Sequence, residues 1–374
     1  MGTIKSRARA ALSAAVASLG MAMAATGLAA DDPDSQFAQF VPDDPSSQGE
    51  LNPAMPVGVI EIAHDVYMMT VHGVNVVVQT GDDGTVIVNT GPASGAQALV
   101  ATVNKFVHQP VRYIIDTGAD PELIGGNAVI ATAGQSPLHM DAFAQGQQRR
   151  FSGVLQLGGL GSVATIIARQ AVLTRMASSA QVSYASAALP TETFDRDEFH
   201  FIYNEPIAIV ALHNAHSDSD SAVRFERSDV VVAGAVFDND HFPVIDLQHG
   251  GSIAGESEAV NRIINTLAFA HLPVLTNTGG TLIIPIHGSV CDLDDLAAYA
   301  DMLATIRARV DFYINQGKTM KQVEAADPAL GYESRYGADS GEWTTRDFVD
   351  AVYKSLEAGR KRRHSVKQPQ DDAQ

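Results

Sequence analysis

Residues 74–118 constrain the architecture more tightly than any other stretch of the chain. Two β-rich runs, residues 74–79 and 85–89, are separated by Gly81-Asp82-Asp83-Gly84, a composition that turns the chain back on itself and makes the pair a hairpin. Thr90-Gly91-Pro92 then breaks the strand, and Leu99, Val103, Phe106 and Val107 share one face of a helix that ends near Gln109-Pro110. Residues 112–115 are a short apolar strand running into Asp116-Thr117-Gly118. A hairpin feeding a strand-helix-strand unit selects the α/β or α+β class, with helices layered on sheets.

Further strand candidates lie at residues 165–168, 207–212, 230–233 and 281–284, with a helix at 171–176 inside a region otherwise rich in Gly, Ala and Ser. Leu293, Leu296, Tyr299, Leu303, Ile306, Val310 and Tyr313 step by threes and fours behind a capping Asp292 or Asp294. That spacing predicts a long amphipathic helix ending near Gly317. A last helix over residues 345–356, capped by Thr344 or Thr345, precedes a basic, polar tail from Arg360 that is expected to fray. With 374 residues, 45% of them hydrophobic, the chain can bury one large or two modest cores.

The N-terminal region reads differently. Lys5, Arg7 and Arg9, then an Ala-rich apolar run, then Gly27-Leu28-Ala29 form the pattern of a secretory signal peptide over residues 1–29. Residues 30–55 are an aperiodic linker rich in Asp, Pro, Ser and Gln, and order is expected from about Val57. The expectation is therefore an exported protein, periplasmic or secreted, with no membrane attachment after cleavage. A net charge of −18, from 43 Asp+Glu against 25 Lys+Arg, argues against nucleic acid or an anionic membrane as partner. Cys291 is the single cysteine, which excludes an intramolecular disulfide, a cysteine zinc ribbon and an iron–sulfur cluster. Any metal must be held by histidines and carboxylates.

Four loops at strand ends carry those residue types. They are D-T-G-A-D-P-E-L-I-G-G-N at residues 116–127, A-H-S-D-S-D-S at 215–221, A-G-A-V-F at 233–237 and I-P-I-H-G at 284–288. Together with G-V-N-V-V-V-Q-T-G-D-D-G at 73–84 and N-T-G at 89–91, their order and spacing resemble the metallo-β-lactamase superfamily over roughly residues 57–309. The resemblance implies an αββα sandwich with a zinc site along one edge. In the family, H-x-H-x-D-H gives four ligands and later loops give a His, a bridging Asp and a final His.

Laid onto that pattern, this chain has Gly118 for the first His, Asp120 for the second, Glu122 for the Asp and Leu123 for the last His. His216 and His287 stand at the two later His positions, and Ala235 replaces the bridging Asp. Zinc in a hydrolytic site wants three firm ligands and an open position for water. Glycine, leucine and alanine supply none, and Glu122 is one methylene longer than the Asp it replaces, which shifts its oxygens. The resemblance thus implies a degenerate site in which Asp120, His216 and His287 are the remaining ligand candidates for one metal and Glu122 the candidate catalytic base. No tightly bound cofactor is expected, and residual zinc or another divalent metal is what these four donors could hold.

Other conspicuous residues have plainer readings. His213 is read as a surface or packing residue, and Ser217, Ser219 and Ser221 with Asp218 and Asp220 as a solvated turn that lacks calcium-loop spacing. Cys291 is read as a small core or loop residue, Gly125-Gly126-Asn127 as close backbone packing, and Trp343 as packing onto the main domain. The organisation expected is a signal peptide (1–29), a linker (30–55), a metallo-β-lactamase-like domain (56–317), a C-terminal helical extension (318–359) and a polar tail (360–374). The expected function is that of an exported, non-catalytic binding or regulatory homologue with a small-molecule ligand. The alternative is a single-metal hydrolase of ester, thioester, lactone or lactam bonds.

Overall fold

Strand burial patterns already separate two sheets. In the computed structural model, which describes residues 57–82, 84–137, 163–180, 182–202, 205–268 and 280–366, β1 (Val57–Ala63), β2 (Val66–Val71), β3 (Val74–Gly81), β4 (Gly84–Val88), β5 (Val111–Asp116), β6 (Thr165–Arg169) and β7 (Glu192–Phe194) lie in sequential order in one sheet. The expected signal peptide, the linker and the chain beyond residue 366 lie outside the described residues. Neighbours from β1 to β4 are antiparallel, and from β4 to β7 parallel. The switch comes where helix α1 (Ala96–Phe106) provides the crossover that a parallel pair requires.

A second sheet has the order β12 (Leu282–Pro285), β11 (Val230–Gly234), β10 (Ser221–Phe225), β9 (Glu205–Ala211), β8 (Glu198–Ile202). Among the described residues of this sheet, β11 and β12 pair in parallel and the other neighbours are antiparallel. The remaining helices are α2 (Pro121–Ile124), α3 (Asn127–Ala133), α4 (Gln170–Ser178), α5 (Ile253–Thr266), α6 (Leu293–Asn315), α7 (Met320–Glu324), α8 (Glu333–Tyr336) and α9 (Thr345–Val366).

Three apolar cores stack these elements into four layers. Met68, Val77, Val88 and Ile115 of the first sheet meet Ile207, Val223, Val232 and Ile284 of the second. Leu99, Val103 and Ile130 cover the outer face of the first sheet, and Val260, Ile263, Leu296, Tyr299 and Phe348 cover that of the second. Because both faces are covered, β4 is buried at every position and needs no polar alternation. The result is the α/β sandwich of two sheets between helices that the sequence resemblance implied.

Residues after 317 pack into the same core as the second sheet. Phe348 of α9 stacks on Phe242 with ring centroids 4.7 Å apart and planes at 7°, and Val323, Tyr336 and Val352 are buried with them. Asp292 caps α6 through a capping box with Asp295. The last helix runs to Val366, past the expected end at residue 356, because Arg360 donates to Asp311 Oδ1 at 2.8 Å and to Asn315 Oδ1 at 2.8 Å on α6. Residues 360–366 are therefore helical where a frayed tail was expected.

Candidate functional site

The loops that end β4 and β5 are locked together by buried amides. Asn89, at φ 62°, accepts hydrogen bonds on Oδ1 from Thr117 N at 3.0 Å and Thr117 Oγ1 at 2.9 Å. Asn127 accepts from Thr90 Oγ1 at 2.8 Å and donates to Asp116 Oδ2 at 2.8 Å and Ala188 O at 3.2 Å. Burial, partly opposed by that hydrogen bond, pushes the Asp116 carboxyl up to about 7. A Cβ on Gly126 would come within 2.5 Å of Thr90 O, so Gly125-Gly126-Asn127 serves close backbone packing.

On this framework stand two histidine–carboxylate pairs. Asp120, the N-cap residue of α2, places Oδ2 3.2 Å from His216 Nε2. Both atoms are buried and face each other, each the other's charge partner. The other ring nitrogen of His216 donates to Val244 O at 2.7 Å, which fixes its tautomer when neutral and its orientation in either state. Burial opposes charge on His216, but Asp120 beside it and Asp220 nearby push its pKa up to about 10.

His287 follows β12 and repeats the pattern. Its Nδ1 donates to Asp238 Oδ2 at 2.7 Å, while Nε2 lies 3.5 Å from Glu122 Oε2. Burial alone would raise Asp238; hydrogen bonds from His241 and His287 hold its carboxyl at about 2 instead. Against the same burial, Asp238 and Glu122 push His287 up to about 10.

The structure thus brings Asp120 to His216 and Glu122 to His287. Among the described residues, the group of three potential ligands whose donor atoms all lie within 4.8 Å of one another is Asp238, His241 and His287. Sequence reasoning passed over Asp238 and His241. The signal was D-N-D-H at residues 238–241, directly after the A-G-A-V-F loop, with acid and imidazole three residues apart.

The three positions without donors are filled in ways that explain themselves physically. Leu123 is fully buried in an apolar cluster with Val74, Ala119 and Ile286, and Ala235 packs against the same cluster. Hydrocarbon therefore occupies the two positions where the sequence resemblance implies a ligand and a bridge. Gly118 has no positive φ, and a Cβ there would lie 3.0 Å from Leu123 Cδ1, 3.4 Å from Asp120 Oδ2 and 3.7 Å from Asp220 Oδ1. Positions 118, 120 and 216 do converge.

The loop at 215–221 is not the solvated turn expected. Ser217, Ser219, Asp220 and Ser221 are buried, and only Asp218 reaches solvent. Asp220 accepts from Ser217 N at 2.6 Å and Ser217 Oγ at 3.1 Å, and burial lifts its carboxyl to about 6. Behind it sits Glu256 of α5, fully buried, with neither oxygen hydrogen-bonded. Burial raises its pKa well above the ordinary range, aided by the Asp220 charge and opposed by His216. Because the folded state holds this proton more tightly than the unfolded chain does, the group withdraws stability as pH rises above its unfolded value of about 4.5. Glu256→Gln is therefore expected to raise stability at pH 8 by about 1–3 kcal/mol and to leave it nearly unchanged at pH 4. Urea melts at the two pH values check this; a larger gain at pH 4 would contradict it.

His213 is exposed and lies 3.2 Å from Arg169, Cys291 is a buried core residue, and Trp343 packs on the second-sheet core.

The two-metal zinc centre that the fold family implies does not fit these residues. Its bridge position is alanine, one of its ligand positions is leucine in a dry cluster, and its remaining donors are already divided between two ion pairs.

No family model and no curated protein matches the chain. Solved structures do. The sec-alkylsulfatase Pisa1 from Pseudomonas sp., described as stereoselective and inverting, aligns at TM-score 0.55 and 15% identity over 84% of this chain and 55% of its own. A double mutant of that enzyme aligns at TM-score 0.58 and 14% identity, with the same coverage. A metallo-beta-lactamase from Pontibacter korlensis aligns at TM-score 0.47 and 15% identity over 66% of this chain and 99% of its own. This chain spans about half the length of the alkylsulfatases. The likeness to the alkylsulfatase establishes the fold: two sheets between layers of helices, shared with that enzyme.

Proposed function

We propose that this chain uses the metallo-β-lactamase fold to bind and not to hydrolyse: it is a non-catalytic or regulatory homologue, exported to the periplasm or outside, with a small-molecule ligand. The observation that carries the reading is the apolar packing of Leu123 and Ala235 at two of the family's ligand positions. With hydrocarbon there, and with Asp120–His216 and Glu122–His287 each satisfied as an ion pair, the strand-end loops hold together without a metal bridge. The sequence pattern of residues 1–29 supports export.

A second reading has its own support. Both histidines are oriented through Nδ1, by Val244 O and by Asp238, and point Nε2 at a carboxylate. That is how an imidazole is held for ligation. On this reading a single metal draws together Asp120, His216 and His287, whose donor atoms do not all lie within 4.8 Å of one another among the described residues, and with Glu122 as base makes the protein a metal-dependent hydrolase of ester, thioester, lactone or lactam bonds.

Turnover of chromogenic esters, thioesters, lactones and β-lactams, measured with and without added zinc, separates the two. No hydrolysis above the protein-free rate is expected. Zinc-dependent turnover that chelator removes and His216→Ala abolishes would establish the second reading instead.

A further inference from the structure

We propose that Asp238, His241 and His287 form a binding site for a divalent cation of the zinc class, one that keeps the histidine at the end of β12 and takes its other donors from the loop after β11.

The donors are gathered by the fold and not by chance proximity of mobile side chains. His287 Nδ1 is 2.7 Å from Asp238 Oδ2 and His241 Nδ1 is 3.4 Å from Asp238 Oδ1. The two imidazole rings stand edge to face, 5.9 Å apart at 85°. Their loop is pinned to the end of β12 by Ile286 N donating to Phe237 O at 2.8 Å and by Asn239 N donating to His287 O at 3.4 Å. Arg335 holds it from outside, through Asn239 Oδ1 at 2.6 Å and Asp295 Oδ1 at 3.1 Å. Asp240 lies against Gly288, near enough that a Cβ there would come within 2.8 Å of its Oδ1, and adds a second negative charge beside the cluster.

Chemistry and access agree on the ligand. Two imidazole nitrogens and one carboxylate suit zinc and the late first-row divalent metals, whereas calcium and magnesium demand oxygen shells. The Asp238 side chain is 10% exposed, His287 25% and His241 55%, so the group is buried on one side and open to solvent on the other. An ion entering from the His241 side would take one nitrogen of each imidazole and an oxygen of Asp238, any proton on those nitrogens passing to solvent, with water completing its shell. The family's first-motif residues are not needed.

This inference goes beyond the binding reading above and fails separately from it. Zinc chloride titrated calorimetrically into the chelator-stripped full chain is expected to show one saturable site. His241→Ala and Asp238→Asn should each weaken it about tenfold or more, and His216→Ala should change it by no more than about twofold. His241 is more than half exposed, so its replacement leaves folding intact, as a melting curve will show. Absence of saturable binding overturns the inference and leaves the proposed function standing. Binding lost in His216→Ala, with or without loss in His241→Ala, overturns the inference and returns the metal to the family's position.

Discussion

Replacing Arg169 by alanine is expected to cost about 3–5 kcal/mol of folding stability, among the largest effects of any single change near the site. Arg169 ends β6, and its guanidinium crosses beneath the loop that carries His216. It donates through Nη1 to Leu212 O at 3.1 Å and Asp218 O at 2.7 Å, with Asp220 O at 3.4 Å, while Nη2 meets His213 Nδ1 at 3.2 Å. Truncation leaves buried carbonyls unpaired in a loop that has exchanged water for internal bonds. Lysine, with a single point of charge, cannot span the same carbonyls and should restore less than half of the loss. Urea denaturation of the three proteins measures both effects. A cost below about 1 kcal/mol for alanine would mean that the loop is held by its own serines and Asp220 alone.

Why part of this molecule was legible in the sequence follows from where the information lies. The hairpin of β3 and β4, the crossover α1 and strand β5 could be read because turn residues and periodicity are local. The same holds for α6, whose apolar stripe and Asp292 cap are written in consecutive turns. Strand β2, V-Y-M-M-T-V, gave little warning because its two buried methionines are adjacent and do not alternate with polar residues. Strand β10 was hidden by Arg224, a charge that is tolerated inside because Glu226 and Asp229 flank it at 3.0 Å each. Helix α5 was hidden by its own polar residues, among them the buried Glu256.

The site shows the same division. His216 and His287 could be named because motifs place them at strand ends. Their partners could be named only as candidates, since which carboxylate faces which imidazole is decided by packing between loops far apart in sequence. Asp238 lies 49 residues before the histidine it orients, and no local pattern encodes that pairing. The burial of Ser217, Ser219 and Asp220 was missed for a related reason. A run of serines and aspartates is polar by composition, but the chain supplies Arg169 and its own backbone amides as internal solvent.

If the loops carrying positions 118, 120, 122, 123 and 235 converge as the proposed reading requires, donors placed there complete a metal site. Gly118→His, Asp120→His, Glu122→Asp, Leu123→His and Ala235→Asp together should therefore restore tight zinc binding before they restore turnover. Convergence is visible in the 3.2 Å separation of Asp120 and His216 and in the direction of a Cβ at position 118 toward Asp120. A histidine at 118 meets no positive-φ strain, and its closest neighbour, Leu123, is itself replaced in the variant. The opposing cost is Leu123→His, which puts a polar ring into a dry cluster and destabilises the metal-free protein by about 1–3 kcal/mol until an ion satisfies it. Affinity depends on ligand type and rough placement, whereas turnover also needs oriented outer partners and a shaped pocket.

Calorimetric zinc titration of the five-residue variant decides the matter, carried out in a His241→Ala background so that the neighbouring donors do not contribute. A new saturable site is expected, roughly 100-fold or more tighter than any binding by the His241→Ala protein alone. A folded variant with no such site would contradict it, as would two dialysis-resistant zinc ions in the unaltered chain.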